Sequence, residues 1–536
     1  MSSPRSARPK ATAAPPSPLP SVLVGAACLA LYVSLAPAVP GDKDSGEFTL
    51  VLATLGLAHP TGYPLYTFAG HAFVSALHAL GFGWAHAANL FSALGAAVAM
   101  GALHALTSRI AVAAGRSRGA GLFALLPVAA LAANPVWTQE ATLAEVNAWH
   151  VAWCLLAALA ALRVARTFDD DSPLAGRVRA DAALWGFVFG CGAAHHATSV
   201  LVALPLTLAL AIVANRRGRL GFATIATFAA GALPPLACLG WVAWRAWHPA
   251  AGQWPVLDAT WASVADHLTG AQYRAFLGRF APSPRQAALL AQWIWPPLVP
   301  AVVGALLAWR PPASSATAVR HAIGAATVLS CGYALLYGVS DPAPYFLPAL
   351  ALGLALAAGS AAGMLARRSW SGGAATALLV TLLLGAVPQL KVASDRNDTF
   401  ANLDTLIRRM WDAIPPGEAF VIWDDDMASR LRGFQQLDGS RADLIVVQPR
   451  MLSHRAPYRR FVAEHHFDPM EGLVSDVLPL DWNPLSSGYV VNGIIARING
   501  ATPLPVYTFN PGVQSLRRLN KPSADSSAVT DRGAAR

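Results

Sequence analysis

The run Ser21–Ala38, SVLVGAACLALYVSLAPA, is almost wholly apolar and then gives way to Gly41-Asp42-Lys43-Asp44-Ser45-Gly46-Glu47-Phe48. Its length suits a single crossing of the hydrocarbon core of a bilayer. Three acids crowd its exit. Ionisable groups kept beside hydrocarbon are costly, so they tend to be paired or functional. The bland alternative is a solvated loop that ends a span. Ala36-Pro37-Ala38 faintly resembles a signal-peptide cleavage site, but the run is long and further apolar segments follow it, so it reads as a retained span.

Those further segments set the fold class. The chain has 536 residues, of which 55% are hydrophobic and 13% charged, and its mean hydropathy is +0.43. Such a composition indicates an α-helical polytopic membrane protein. About eleven transmembrane helices are expected: Ser21–Ala38, Ala87–Ser108, Gly119–Asn134, Val146–Val164, Asp181–His196, Ala197–Ala214, Gly221–Trp244, Ala287–Trp309, Ala322–Val339, Tyr345–Leu365 and Gly373–Leu390. Residues 21–390 thus form one transmembrane domain, with a first external loop over 39–85.

Charge supplies the orientation. The formal net charge is +10, and Met1–Leu390 holds 22 Lys+Arg against 12 Asp+Glu, so the excess lies in the membrane part. Positive charge accumulates on cytoplasmic loops, which accounts for the basic balance without nucleic acid as a partner. With a cytoplasmic N-terminus, most Arg residues face inward. Asp42, Asp44, Glu47, Glu140, Glu145, Asp258, Asp266 and Asp341 then share the outer face. This map requires Tyr63–Leu80 to lie on the outer surface as an interfacial helix. It puts the C-terminus outside the cell in an inner or cytoplasmic membrane of the bacterial type. The five cysteines fall in apolar segments without paired spacing, so neither a disulfide framework nor a zinc motif is expected.

After Lys391 the chain becomes charged and alternates helical with strand-like patterns. Asn402–Ile414 reads as helix, Ala419–Trp423 as a buried strand, Met427–Gln436 as helix and Asp443–Val447 as a second strand. Residues 391–520 are therefore expected to form a small extracytoplasmic α/β domain. The ends, 1–20 and 521–536, read as disordered, the first of them cytoplasmic.

The string Asp44-Ser45-Gly46-Glu47-Phe48, followed by Gly56-Leu57-Ala58-His59-Pro60-Thr61-Gly62-Tyr63-Pro64-Leu65-Tyr66, resembles the protein O-mannosyltransferase-like family of GT-C membrane glycosyltransferases. Patches of similarity continue to Pro348 and are strongest before Tyr66. The resemblance implies a GT-C-like fold and an inverting transfer of a sugar, mannose favoured, from a polyprenyl-phosphate donor to a protein or glycan hydroxyl at the external face. It places the catalytic base at Asp44, with Glu47 in reserve. Lys43, His59, Tyr63, Tyr66, Glu145, His195, His196, Arg245, His267 and Tyr273 are the implied donor- or acceptor-binding residues. The family has Tyr where Asn147 stands here. No cofactor is implied, because the lipid-linked sugar is itself a substrate; a divalent metal stays open.

Each of these residues also has a structural reading. Glu145 suits a helix N-terminus, where a negative charge meets the dipole. His195 and His196 can be satisfied packing residues, and Arg245 can snorkel at an interface. Asp424-Asp425-Asp426 follows a strand, but no Gly-rich phosphate loop accompanies it, so it reads as a solvated helix start. The rival function is a transporter or flippase of lipid-linked substrates. That function calls for carboxylates at mid-depth in broken helices, together with internal repeats. The sequence shows neither.

Overall fold

The computed structural model describes residues 17–115, 119–170, 174–250, 253, 255–307, 314–366, 368–473 and 487–520. The tails expected to be disordered lie almost wholly outside these residues. In chain order the first helices are α1 (Leu19–Leu35), α2 (Ser45–Thr54), α3 (Pro64–Ala79), α4 (Trp84–Ala113), α5 (Ala120–Ala132), α6 (Pro135–Thr142), α7 (Asn147–Asp169), α8 (Ala175–His195) and α9 (Val200–Arg216). Then come α10 (Phe222–Leu236), α11 (Gly240–Trp247), α12 (Trp261–Thr269), α13 (Pro284–Leu289), α14 (Trp295–Leu307), α15 (Ser315–Leu336), α16 (Leu347–Met364) and α17 (Ser371–Asp412).

Each of the eleven apolar runs falls on a helix. Among the described residues, eight helices are long and apolar enough to cross a membrane, or nine if the bent pair α5–α6 counts as one span. The difference from eleven comes from two helices. α1 is only 17 residues long, and α8 begins with Arg177, Arg179 and Asp181. The 79° bend between α5 and α6 falls at Asn134-Pro135, where Asn134 caps α6 by accepting from the backbone N–H of Val136. The chain is an integral membrane protein.

The core of the bundle is built on α4, α7 and α16, which bury Met100, Leu103, Val151 and Leu350. Trp137 is completely enclosed there and satisfies its indole N–H on the Tyr32 hydroxyl at 2.8 Å. α8 and α10 approach so closely that a Cβ on Gly186 would strike the Phe228 carbonyl, and one on Gly231 the Ala183 carbonyl. Small residues at helix contacts permit such backbone packing within membranes.

A domain boundary was expected at Lys391, yet α17 runs unbroken through it for 42 residues. Lys391 and Asp395, one turn apart and paired at 2.8 Å, keep the chain helical where it becomes charged. The helix therefore carries the membrane domain directly into the C-terminal α/β unit. That unit contains β1 (Ala419–Ile422), α18 (Ser429–Leu437), β2 (Leu444–Val447), α19 (Arg455–His465), α20 (Ser487–Ala501), β3 (Val506–Asn510) and β4 (Ser515–Arg518). The sheet order is β2-β1-β3-β4, parallel except for the antiparallel edge strand β4. β1 is buried along its whole length, as expected of a central strand covered on both faces.

The C-terminal unit rests on the same end of the bundle as the loop between α1 and α4. α18 packs against α2, and Arg459 pairs with Asp258 at 3.2 Å.

Candidate functional site

The loop beyond α1 is built to hold its acids in place. Lys43 and Tyr63 both adopt positive φ, 53° and 45°, conformations that cost a non-glycine residue free energy and persist where the surroundings enforce them. Gly62, at φ +82°, has further reason to lack a side chain: a Cβ would lie 3.2 Å from both His267 Nε2 and Val242 Cγ2. Between these points α2 begins at Ser45, whose hydroxyl accepts from the Gly41 backbone N–H at 2.9 Å.

Asp44, Glu47 and His59 converge. The Glu47 carboxylate accepts from the His59 backbone N–H at 2.6 Å and faces its Nδ1 at 3.2 Å. The Tyr63 hydroxyl lies 3.3 Å from His59 Nε2, and the Phe48 ring packs on His59, Tyr63 and Tyr66 with centroids 5.4–5.8 Å apart. Burial alone would lower the His59 pKa, but the carboxylates of Glu47 and Asp44 overcome it and raise the pKa to about 9. Burial, reinforced by Glu47 and Asp426, pushes Asp44 up to about 6, although His59 and Lys43 pull the other way. His59 is therefore a cation at neutral pH, and Asp44 is a carboxylate poised to take a proton.

Lys43 leads away from this cluster. Its ammonium pairs with Asp341, from the turn between α15 and α16, and with Glu140 of α6 at 3.7 Å. Burial opposes its charge, but Glu140 and Asp341 together raise its pKa. Asn147 donates to the other Glu140 oxygen at 2.9 Å, and Gln139 donates to Asp42 at 3.2 Å. Of the eight acids that charge patterning puts on one face, Asp42, Asp44, Glu47, Glu140, Glu145 and Asp341 gather around this network.

The other expected site residues are distributed unevenly. Glu145 is buried beside this network, and burial together with Glu140 and Asp44 raises its pKa well above the usual carboxylate range. His196 lies against Tyr63 with ring centroids 5.4 Å apart, and His195 lies 6.2 Å from Tyr66. Burial first and then His59 hold His267 at about 3, and its Nε2 has no hydrogen-bond partner among the described residues. Tyr273 stands close enough to Asp44 for the two to interact electrostatically. Arg245 instead braces the fold, with its guanidinium 4.4 Å over the Trp241 ring and donating to the Leu55 carbonyl at 2.8 Å.

Reasoning from sequence missed the contribution of the C-terminal unit. Arg430 of α18 has a fully enclosed side chain that donates to the Pro40 carbonyl at 2.7 Å, to the Gly41 carbonyl, and to Asp404 of α17 at 3.4 Å. It grips the turn that precedes Asp44. Asp426, from the acidic triplet read as a solvated helix start, is close enough to Asp44 and His59 to affect both. Asp424 is tied instead to Arg450 at 3.1 Å, and Asp425 caps Met427 at 2.9 Å. No local pattern marks Arg430, because the loop carbonyls it grips, Pro40 and Gly41, lie hundreds of residues away.

As for metals, the candidate ligand atoms of Asp44, Glu47 and His59 all lie within 4.8 Å of one another. A cation there would have to displace the His59–Glu47 pairing, since a metal-binding imidazole must be neutral.

No curated protein sequence matches the chain. Two crystal structures of ArnT from Cupriavidus metallidurans are similar in shape. The one bound to undecaprenyl phosphate is 12% identical, covers 77% of this chain and 84% of that one, and has a TM-score of 0.49. The apo form is 13% identical over 91% and 92%, with a TM-score of 0.48. Residues 44–219 match the model of the protein O-mannosyl-transferase TMEM260 N-terminal domain, a stretch that holds Asp44, Glu47, His59, Glu145 and the paired histidines. Over those residues the chain is similar to the N-terminal domain of the protein O-mannosyl-transferase TMEM260.

Proposed function

We propose that the protein is a GT-C-type inverting glycosyltransferase. It moves a sugar, mannose favoured, from a polyprenyl-phosphate donor to a hydroxyl of a protein or glycan acceptor at the external membrane face. The observation that carries this reading is Asp44, with its pKa near 6, set beside the His59–Glu47 pair inside the family-matched segment. In the transfer, Asp44 takes the proton of the acceptor hydroxyl as its oxygen attacks the anomeric carbon. The bond to the lipid phosphate breaks on the opposite face, its electrons leave with the phosphate, and the configuration inverts. The cations of His59 and Lys43 offset the negative charge that gathers there.

The flippase alternative draws no support from this arrangement, because the convergent acids sit in a loop at one end of the bundle. The test is release of polyprenyl phosphate from a sugar-loaded donor by the purified protein. Asp44→Asn keeps the shape but cannot accept the proton, and should slow release by about 10²- to 10⁴-fold while leaving donor binding intact. Full activity in that variant would sink the assignment.

A further inference from the structure

The three acids that follow β1 do not share one role. β1 lies between β2 and β3, so the chain leaves it toward one side of the sheet and later returns on the other. In open α/β sheets, ligands bind outside the carboxyl ends of the strands at such a reversal. Two of the acids there are committed to the protein itself. Asp424 accepts from the Arg450 backbone N–H at 3.0 Å and from its guanidinium at 3.1 Å, which ties the turn after β1 to the turn after β2. The Asp425 carboxylate accepts from the Met427 N–H at 2.9 Å, and its carbonyl accepts from the Gln448 amide at 3.1 Å.

Asp426 is left over. Its carboxylate accepts no hydrogen bond from the described residues, and its ion pair with Arg450 is long, at 3.6 Å. Of its side chain 58% reaches solvent, against 21% for Asp424 and 17% for Glu47, so it stands on the open side of the acid cluster. The backbone fixes it there. Its carbonyl accepts from the Ser429 hydroxyl at 3.1 Å, and that oxygen would lie 2.8 Å from a Cβ on Gly46, two residues beyond Asp44. Asp426 is also close enough to Asp44, Glu47 and His59 for their charges to interact. A third carboxylate facing Asp44 and Glu47 is repelled by both. Unlike its two neighbours, its side chain anchors no turn in return. A charge kept where it is unfavourable, in the opening above a base, marks a functional residue.

Its chemistry says what it takes. An ionised carboxylate only accepts hydrogen bonds. A hydroxyl that approaches Asp44 from the open side passes Asp426, so the partner is a donor group close to that hydroxyl. A peptide presents a backbone N–H beside each seryl or threonyl hydroxyl. A basic neighbour would add to this contact, whereas an acidic one would meet like charge. We propose that Asp426 is a specificity-determining residue of the transfer site, which receives the donor group beside the attacking hydroxyl of a polypeptide acceptor and disfavours acidic neighbours. The proposal rests on the glycosyl-transfer reading and adds that the C-terminal unit reads the acceptor.

The experiment uses the full-length protein in lipid nanodiscs, a mannosyl-phosphate polyprenol as donor, and three seryl peptides identical except for Lys, Ala or Asp next to the serine. Release of polyprenyl phosphate gives kcat and the acceptor KM. In the unaltered protein kcat/KM should fall from Lys to Ala to Asp, by about tenfold in all, as expected for gaining or losing one partly exposed charge contact. Asp426→Asn keeps the shape and removes the charge. It should bring the three peptides within about twofold of one another, through acceptor KM, and leave donor affinity unchanged. Asp426→Glu should restore the order. Asp438→Asn, which removes an acid of the same unit paired with Arg408, should preserve it. An order that survives in Asp426→Asn, or a loss there that lies in donor affinity, overturns the role of Asp426. If the unaltered protein releases no polyprenyl phosphate with any peptide, the glycosyl-transfer reading itself falls; if it releases it without regard to the neighbouring charge, only the role of Asp426 falls.

Discussion

The loop that carries Asp44 and the C-terminal unit that rests on it are held by different means. The loop is fixed by charge. Glu47 holds His59, Lys43 ties Glu140 to Asp341, and three non-glycine residues, Lys43, Leu55 and Tyr63, are kept at positive φ. The C-terminal unit is held by ordinary apolar packing around β1, with Val421, Leu431, Phe509 and Trp411 nearly or fully enclosed. A few charges in precise geometry can tune a pKa but stabilise weakly and are sensitive to displacement. An apolar core stabilises more and has no reactive groups. Arg430 joins the two: it belongs to the apolar unit, and its donors end on the backbone of the charged loop.

Three substitutions probe that junction, in decreasing order of effect. Arg430→Ala would leave Asp404 with only its long contact to Arg408 and two loop carbonyls unsatisfied. Breaking one partner of a buried pair costs about 3–5 kcal/mol, so chemical denaturation should show a loss of that order together with loss of turnover. A loss under about 1 kcal/mol would show that the unit merely sits against the loop. Gly46→Ala is milder: the new Cβ would lie 2.8 Å from Ser429 Oγ and 3.2 Å from Arg430 Cγ. Overpacking there should cost about 1–3 kcal/mol and lower kcat more than donor affinity. Unchanged kinetics would mean that α18 can retreat without disturbing Asp44. Arg459→Ala breaks the partly exposed pair with Asp258, and such pairs contribute about 0–1 kcal/mol. Melting temperature and turnover should hardly move; a large effect would make that contact a second joint between the two regions.

The same division explains what could be read in advance. The apolar runs and the strands β1 and β2 follow from hydrophobic periodicity, which is local. The Asp44–Tyr66 string pointed to its site because its spacing is contained in one loop. The convergence of Lys43 with Asp341 depends on how α15 and α16 pack, and Arg430 reaches Gly41 only once α17 has continued as a helix past Lys391. Such partners leave no trace in local pattern. β3 and β4, VYTFN and SLRR, lack the continuous apolar run that marks β1 and β2.

Removal of divalent metal should change turnover by less than about twofold, because a protonated imidazole paired with Glu47 is not available as a ligand. A chelator that abolishes activity, with recovery on adding back a metal, would convert the Asp44–Glu47–His59 cluster from an ion pair into a cation site.

The pH dependence of kcat/KM for polyprenyl phosphate release tests the central claim most directly. Asp44 must be ionised to act as the base, so the rate should rise with pH through about 6; His59 must stay protonated, so it should fall through about 9. In Asp44→Asn the remaining slow rate should lose the acidic limb and keep the basic one. An acidic limb that persists unchanged in Asp44→Asn, or a rate in that variant close to that of the unaltered protein, would contradict the assignment of Asp44 as the base.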